Sequence, residues 1–316
     1  MSYFSTHKIK SFFIILLSFF IFIALSQSKA EEIVYVPYTG DVNSFLAQLE
    51  REGFVSNGFS KLVLHTILTL RGGIEPGGYS FTKGMGAVSS ALALDEPKYK
   101  YVSIIEGFRR AQIAEVTGEK LGWSQEEIEK FATLKPMCMT KGQEGFLASG
   151  TYLIHTQESA DVVQKTMEDS FDEVLRELNI DKDSVSVPEI ITIASLIQRE
   201  AGGKSDMRLI SGIIHKRLSI GMALQIDATL QYAKGDAQRW WPVPKSEDKY
   251  IDSPFNTYQN KGLPPAPIAT PGKEAIKAAL NPLKTTCLFY LHDKRGNIHC
   301  STNYEQHKKN VNYYLK

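Results

Sequence analysis

The stretch that decides the fold runs from Ser184 to Gly203, SVSVPEIITIASLIQREAGG. Ser186, followed three residues later by Glu189, has capping-box spacing, and Pro188 suits a first helical turn. Gly202 and Gly203 supply the stop. At about 100° per residue, Ile190, Ile191, Ile193, Ala194, Leu196 and Ile197 fill one apolar arc, and Arg199 falls opposite it. Glu200 falls inside the arc, one turn beyond Leu196 and Ile197, while Gln198 lies within its other edge. A carboxylate on a buried stripe is costly unless it is paired or protonated. Burial raises its pKa, which is what a general acid near neutral pH requires. A structural carboxylate paired with an arginine fits the same pattern.

Working outward, a second helix is expected over Ser205–Ile220, with Leu209, Ile210, Ile213, Ile214 and Leu218 on one side and Gly221 ending it. Asp227 then stands where an N-cap would. Upstream, Ala160–Leu178 reads as a long amphipathic helix. Arg109–Leu121 and Ser124–Thr133 read as shorter ones, Ser124 and Glu127 forming a capping box. Tyr101–Ile105 and Gly145–Ile154 are strand-like, each beside a Glu-Gly step, Glu106-Gly107 and Glu144-Gly145. Nearer the N-terminus, a strand at Ile33–Pro37, a helix from Asp41 to Glu52, a helix at Ser60–Leu70 and a strand at Gly77–Thr82 give β-α-α-β order. The elements alternate without βαβ regularity, so the fold class expected is α+β.

The 316 residues carry 36 Lys+Arg against 35 Asp+Glu, so the basic excess of a polyanion-coating protein is lacking and nucleic acid is not an expected partner. Three cysteines exclude a disulfide-dense mini-fold and a four-cysteine zinc site. Ser11–Ser26, SFFIILLSFFIFIALS, is uncharged and follows Lys8 and Lys10, with Ser28 and Ala30 behind it. That is the grammar of a secretory signal or, if uncleaved, of a membrane anchor. Either sends the rest of the chain out of the cytosol. The expected organisation is a signal or anchor over residues 1–30, a small subdomain over 31–97 and a larger α+β domain over 98–316. No G-x-x-x-x-G-K-[ST] loop, H-E-x-x-H pair or G-x-S-x-G elbow is present, so no metal or cofactor is expected.

Ala194-Ser-Leu-Ile-Gln-Arg-Glu200 resembles the A-S-[IL]-[IV]-E-[KR]-E signature of the YceG-like endolytic murein transglycosylases. Arg217-Leu-Ser-Ile-Gly-Met-Ala-Leu-Gln-Ile-Asp227 resembles the family's N-R-L-x-x-G-M-x-L-Q-[TS]-D, and Ser253-Pro-Phe-Asn-Thr-Tyr258 its S-x-Y-N-T-Y. Gly262-Leu-Pro-Pro-Ala-Pro-Ile-Ala-Thr-Pro-Gly272 resembles its G-L-P-P-x-P-I-x-x-P-G loop, and Asn281-Pro282, Thr302-Asn303 and His307 continue the similarity. The resemblance implies a LysM-like region over the β-α-α-β unit and a lytic transglycosylase domain after it. It implies an enzyme, a lyase of the cell envelope. Such an enzyme cuts peptidoglycan strands between N-acetylmuramic acid and N-acetylglucosamine to leave 1,6-anhydro ends, terminating nascent strands beside peptidoglycan synthases. It puts Glu200 in the acid/base role and Gln225, Asp227, Asn256, Tyr258 and Asn303 in substrate or supporting roles. A non-catalytic peptidoglycan binder and a water-using muramidase are the alternatives.

This chain departs from the pattern at Gln198, where the family usually has a glutamate, within Gly145–Tyr152, and at Lys308, which replaces the usual asparagine. The Gln198 change is expected to tune the site's electrostatics. The proline-rich loop 262–272, with its fixed φ angles, is expected to be a rigid groove wall. Cys287 and Cys300 flank Asp293-Lys-Arg-Gly296 in a hairpin pattern. With Lys294-Arg295 at the tip, Cys287 faces Thr302 and lies diagonal to Cys300. A small change in the turn would bring them opposite each other and open a cross-strand disulfide to them in an oxidising envelope, whereas a one-residue slip would face them apart. Cys138 is expected to be buried.

Overall fold

The computed structural model describes residues 31–35, 40–55, 58–83, 85, 87–133 and 144–316. The apolar block 11–26 and Cys138 lie outside the described residues. Among the described residues, no helix is long and apolar enough to cross a membrane. The fold is mixed α and β, of the α+β kind. The described residues divide into two compact units, one reaching to Val102 and including Tyr152–Glu158, the other running from Ser103 to Thr151 and from Ser159 to Lys316.

In the first unit, β1 (Glu31–Tyr35), α1 (Val42–Arg51), α2 (Gly58–Leu70) and β2 (Gly77–Thr82) follow the β-α-α-β order. β1 and β2 pair antiparallel, from Glu31 opposite Thr82 to Tyr35 opposite Gly78. Asp41 caps α1 through its carboxylate, which accepts from the Ser44 N–H at 2.8 Å. Phe45, Leu46 and Leu49 of α1 are buried with Leu64 and Leu68 of α2 against Tyr79 and Phe81. A short helix not foreseen from the sequence, α3 (Ala87–Ala93), closes this core. β3 (Tyr99–Ile104) and β4 (Gly150–His155) complete a four-stranded sheet in the order β1-β2-β3-β4.

The second unit holds α4 (Arg110–Leu121), α5 (Gln125–Thr133), α6 (Ala160–Glu177), α7 (Val187–Glu200), α8 (Lys204–Ser219), α9 (Asp227–Lys234), α10 (Lys273–Leu280) and α11 (Tyr304–Tyr314). Its hairpin pairs β5 (Phe289–His292) with β6 (Ile298–Ser301). α7 is the centre of this unit, with α8 and α10 packed on it. Every residue from Ile191 to Ile197 is buried, Thr192 and Ser195 included, so α7 is buried all round rather than along one stripe. Its polar side chains are satisfied locally. Thr192 Oγ donates to Pro188 O at 2.7 Å, and Ser195 Oγ donates to Thr192 O at 2.7 Å. The capping box expected at Ser186 is not formed: Ser186 is helical in φ and ψ and its hydroxyl caps nothing. Residues 145–149, expected to be strand, are irregular. There Gly145 takes φ +87°, a conformation that favours glycine.

The hairpin register differs by one residue from the sequence expectation. Tyr290 pairs with Cys300 and Phe289 with Ser301. Leu288 N–H also donates to Ser301 O, at 2.8 Å, so Leu288 and Phe289 together oppose Ser301. This two-against-one count is that of a β-bulge, and it returns Cys287 to the side of the hairpin that carries Cys300. The two cysteines are joined by a disulfide.

Candidate active site

Glu200 is the last residue of α7, and its carboxyl reaches the start of α9. Ala228 N–H donates to Glu200 Oε1 at 3.3 Å, and the Tyr290 hydroxyl donates to Oε2 at 2.6 Å. Burial raises the Glu200 pKa above the ordinary carboxylate value. The two donors and His292 pull it down, the Asp227 charge pushes it up, and burial prevails. Burial and the neighbouring Glu200 hold the Tyr290 hydroxyl well above its usual pKa, so it stays a donor. At the end of β5, His292 Nε2 meets Asp206 Oδ2 at 3.1 Å.

Asp227 is the first residue of α9 and not its N-cap; Ile226 holds that position. The Asp227 carboxylate instead accepts from the Tyr258 hydroxyl at 2.6 Å. Burial, then this acceptor, pushes the Tyr258 hydroxyl up. Gln225, just before, has φ +50°, a left-handed conformation that costs a side-chain-bearing residue roughly 1–2 kcal/mol. Gln225 N–H donates to Thr257 O at 3.1 Å and Ile226 N–H to Thr257 Oγ at 3.0 Å, which holds that turn.

A cleft of about 670 Å³ opens here. Glu200, Gln225, Asp227 and Tyr258 line it, together with Arg217, Lys249, Phe289, Tyr290, Tyr304, His307 and Lys308. Asn256 and Asn303 do not line it. Asn256 is fully buried; its amide donates to Lys249 O at 3.1 Å and Ile251 O at 2.8 Å, and its Oδ1 accepts from Tyr258 N–H at 2.9 Å. It shapes the turn that presents Tyr258. Asn303 caps α11, accepting from Gln306 N–H at 2.9 Å. The proline-rich loop does not line the cleft either. It is fastened to α7 and to the Gly107-Phe108 backbone: Ile268 N–H donates to Ser195 Oγ at 3.1 Å and Thr270 N–H to Phe108 O at 2.8 Å. Gln198 belongs to the same fastening, accepting from Gly272 N–H at 3.0 Å.

Several cleft residues were not singled out from the sequence as site groups. Tyr290 is one, since nothing in Cys287–His292 marks which side chain meets an acid ninety residues earlier. Arg217 is another. Its guanidinium lies 5.0 Å from the Phe289 ring centroid and donates to Leu288 O at 2.6 Å, to Ala223 O at 3.3 Å and to Leu224 O. Phe289 also stacks on His307, centroids 5.4 Å apart. Burial, and then Arg217, lower the His307 pKa. Away from the cleft, Glu144 is a second buried acid. It accepts from Arg110 N–H at 2.9 Å and from the Tyr232 hydroxyl at 3.4 Å, and burial pushes its pKa to about 7. Among the described residues no group of three or more His, Cys, Asp and Glu is arranged to hold a metal ion.

The site therefore offers one desolvated carboxyl with a fixed hydroxyl donor, a second carboxylate beside it, and aromatic and cationic walls. The sequence model of the YceG-like family matches residues 34–313. The chain belongs to the YceG-like family. It is 28% identical over 333 residues to a protein of Streptococcus pneumoniae serotype 2 (strain D39) named endolytic murein transglycosylase, covering 90% of this chain and 59% of that relative. The chain thus spans 59% of the length of that relative. A Bacillus subtilis (strain 168) protein of the same name is 28% identical over 317 residues, covering 92% of this chain and 86% of that relative. The crystal structure of a yceG-like protein from Listeria monocytogenes aligns with a TM-score of 0.55 at 24% identity, over 89% of this chain and 99% of that one, a likeness of fold.

Proposed function

We propose that this protein is an endolytic peptidoglycan lytic transglycosylase, a lyase, with Glu200 as its acid and then its base. The observation that carries this reading is the Glu200 carboxyl, desolvated at the cleft and held by Tyr290 and Ala228 N–H. Protonated Glu200 gives its proton to the oxygen linking muramic acid C1 to the next sugar, and the C1–O bond breaks. The oxocarbenium-like centre is stabilised by the carboxylates of Glu200 and Asp227. The 6-hydroxyl oxygen of the same muramic residue then bonds to C1, and Glu200 takes the hydroxyl proton. Water is not consumed, and the acid is regenerated. Because the nucleophile is tethered to its target, one carboxyl suffices where a glycosidase uses two. Gln225, Asp227 and Tyr258 line the substrate path. Asn256 acts through Tyr258, and Asn303 through the helix it caps.

The relatives' shared name supports the substrate class, peptidoglycan glycan strands, and an extracytoplasmic place of action. A LysM-like role for the β-α-α-β unit, with boundaries near 31–97 and 98–316, belongs to the same reading. So do membrane association through residues 11–26 and action beside peptidoglycan synthases.

The test digests glycan strands with the protein and with Glu200→Gln and identifies the new ends by mass. Anhydro ends that vanish in the variant are expected. Reducing ends from the unaltered protein would indicate a muramidase, and binding without cleavage a non-catalytic binder.

A further inference from the structure

Tyr290 reaches Glu200 from a hairpin that a disulfide closes. Tyr290 and Cys300 are register partners, so their side chains share one face. The bulge at Leu288 and Phe289 puts Cys287 on that face too, bonded to Cys300. The cross-link therefore ties the strand before Tyr290 to the residue opposite it. Leu288, next to Cys287, is also the acceptor for Arg217 Nε. β5 and β6 are four residues each and, among the described residues, pair only with one another, so the ladder itself is short and leans on α11 and the core beside it. The hydroxyl at the far end of Tyr290 nevertheless holds one oxygen of the acid at 2.6 Å.

We propose that Tyr290 is a positioning residue for Glu200 and that the Cys287–Cys300 disulfide keeps it in place, so that the acid works at its full rate only while this hairpin is oxidised. The proposal rests on the acid role assigned to Glu200 above. The redox step is a two-electron exchange with a dithiol. One thiolate attacks the sulfur of Cys300, the more exposed of the pair, and the Cys287 thiolate leaves. The second thiol of the reductant then displaces Cys300. Two protons and two electrons end on Cys287 and Cys300 as thiols, and the reductant closes its own disulfide. In an oxidising envelope the staple is shut, and under thiol-reducing conditions it opens.

The experiment labels the glutamate side-chain carboxyls with carbon-13 in the full chain and follows the Glu200 titration by NMR, its signal assigned by loss in Glu200→Gln. The samples are the oxidised protein, the dithiothreitol-treated protein, the Cys287→Ser/Cys300→Ser double variant and Tyr290→Phe. Loss of a donor to the carboxylate favours the protonated form. The Glu200 midpoint is therefore expected to rise in all three altered samples, and reducing Tyr290→Phe adds no further rise. On glycan strands, kcat is expected to fall about tenfold in the reduced protein and in Tyr290→Phe, with KM changed by less than about twofold.

A midpoint that does not move on reduction overturns the proposal. So does a full additional rise when Tyr290→Phe is reduced. Global loss of near-ultraviolet circular dichroism in both samples that lack the disulfide would also overturn it, since the bond would then brace the whole unit. If the oxidised protein releases no anhydro ends while the titration behaves as expected, the transglycosylase reading fails and the coupling stands.

Discussion

The Tyr290 hydroxyl donates to Glu200 Oε2 at 2.6 Å, across ninety residues of sequence. A carboxyl at a helix C-terminus has no intrinsic support there, since the macrodipole disfavours negative charge at that end. The support comes from outside α7: the Ala228 N–H at the start of α9, and a phenol from β5. Both stabilise the carboxylate, while burial and Asp227 oppose ionisation. The balance leaves an acid that keeps its proton to a higher pH than an exposed glutamate.

Asp227 tunes that balance. Asp227→Asn removes a neighbouring negative charge while leaving an acceptor for Tyr258, so the Glu200 pKa falls. A general acid is active while protonated. The basic limb of the pH profile of kcat/KM is therefore expected to move to lower pH, with activity near neutrality down roughly tenfold. An unmoved limb would show that Asp227 does not act on Glu200 through its charge.

Glu144 makes folding stability pH-dependent. Its folded pKa of about 7 lies above the ordinary 4.5, so the folded state binds this proton more tightly than the unfolded chain. Stability from this group is fully present below about 4.5 and is lost as pH rises towards about 7. The limiting slope is about 1.4 kcal/mol per pH unit. Denaturant unfolding between pH 4.5 and pH 7 is expected to show the decline, and Glu144→Gln to flatten it.

Gln225 sits at φ +50° at the cleft. Gln225→Gly and Gln225→Ala both delete its side chain, but only glycine takes that backbone without cost. The glycine variant is expected to be the more stable of the two by about 1 kcal/mol, measured by denaturant unfolding. Both are expected to cleave less than the unaltered protein, because the amide facing the cleft is gone.

Two glycines separate packing from propensity. A Cβ on Gly212, inside α8, would lie 2.0 Å from Leu283 O, which is backbone. Gly212→Ala is expected to destabilise by about 2 kcal/mol or more, although alanine is the better helix former. A Cβ on Gly272 would meet the Glu106 carboxyl at the same 2.0 Å, but Glu106 is exposed and its side chain can swing away. Gly272→Ala is expected to stay within about 1 kcal/mol. Unfolding curves that rank the two the other way would contradict these contacts.

Local chemistry made much of the fold legible. The helices α1, α6, α7 and α8 lie close to where hydrophobic spacing, Asp41 and the glycine stops put them. Capping was less reliable. Ser186 and Glu189 have the spacing of a box, yet α7 enters from a turn in which Ser186 is already helical. α11 went unseen because it buries no residue, so its sequence carries no apolar stripe.

The sequence by itself determined the α+β class, the β-α-α-β order near the N-terminus, and Glu200 as the carboxyl that interrupts an apolar run. Those depend on the identity and spacing of residues within one element. Only the tertiary structure decided what Glu200 meets. It set Tyr290 on one carboxyl oxygen, turned Asp227 from a helix cap into the acceptor for Tyr258, and buried Asn256 beneath that tyrosine. It also fastened the proline-rich loop to α7, away from the cleft, and moved the β5–β6 register by a bulge that lets Cys287 meet Cys300. The physical reason is that these contacts join segments far apart in sequence. Their partners are chosen by packing and by the need to satisfy buried polar groups, and neither leaves a period in the chain.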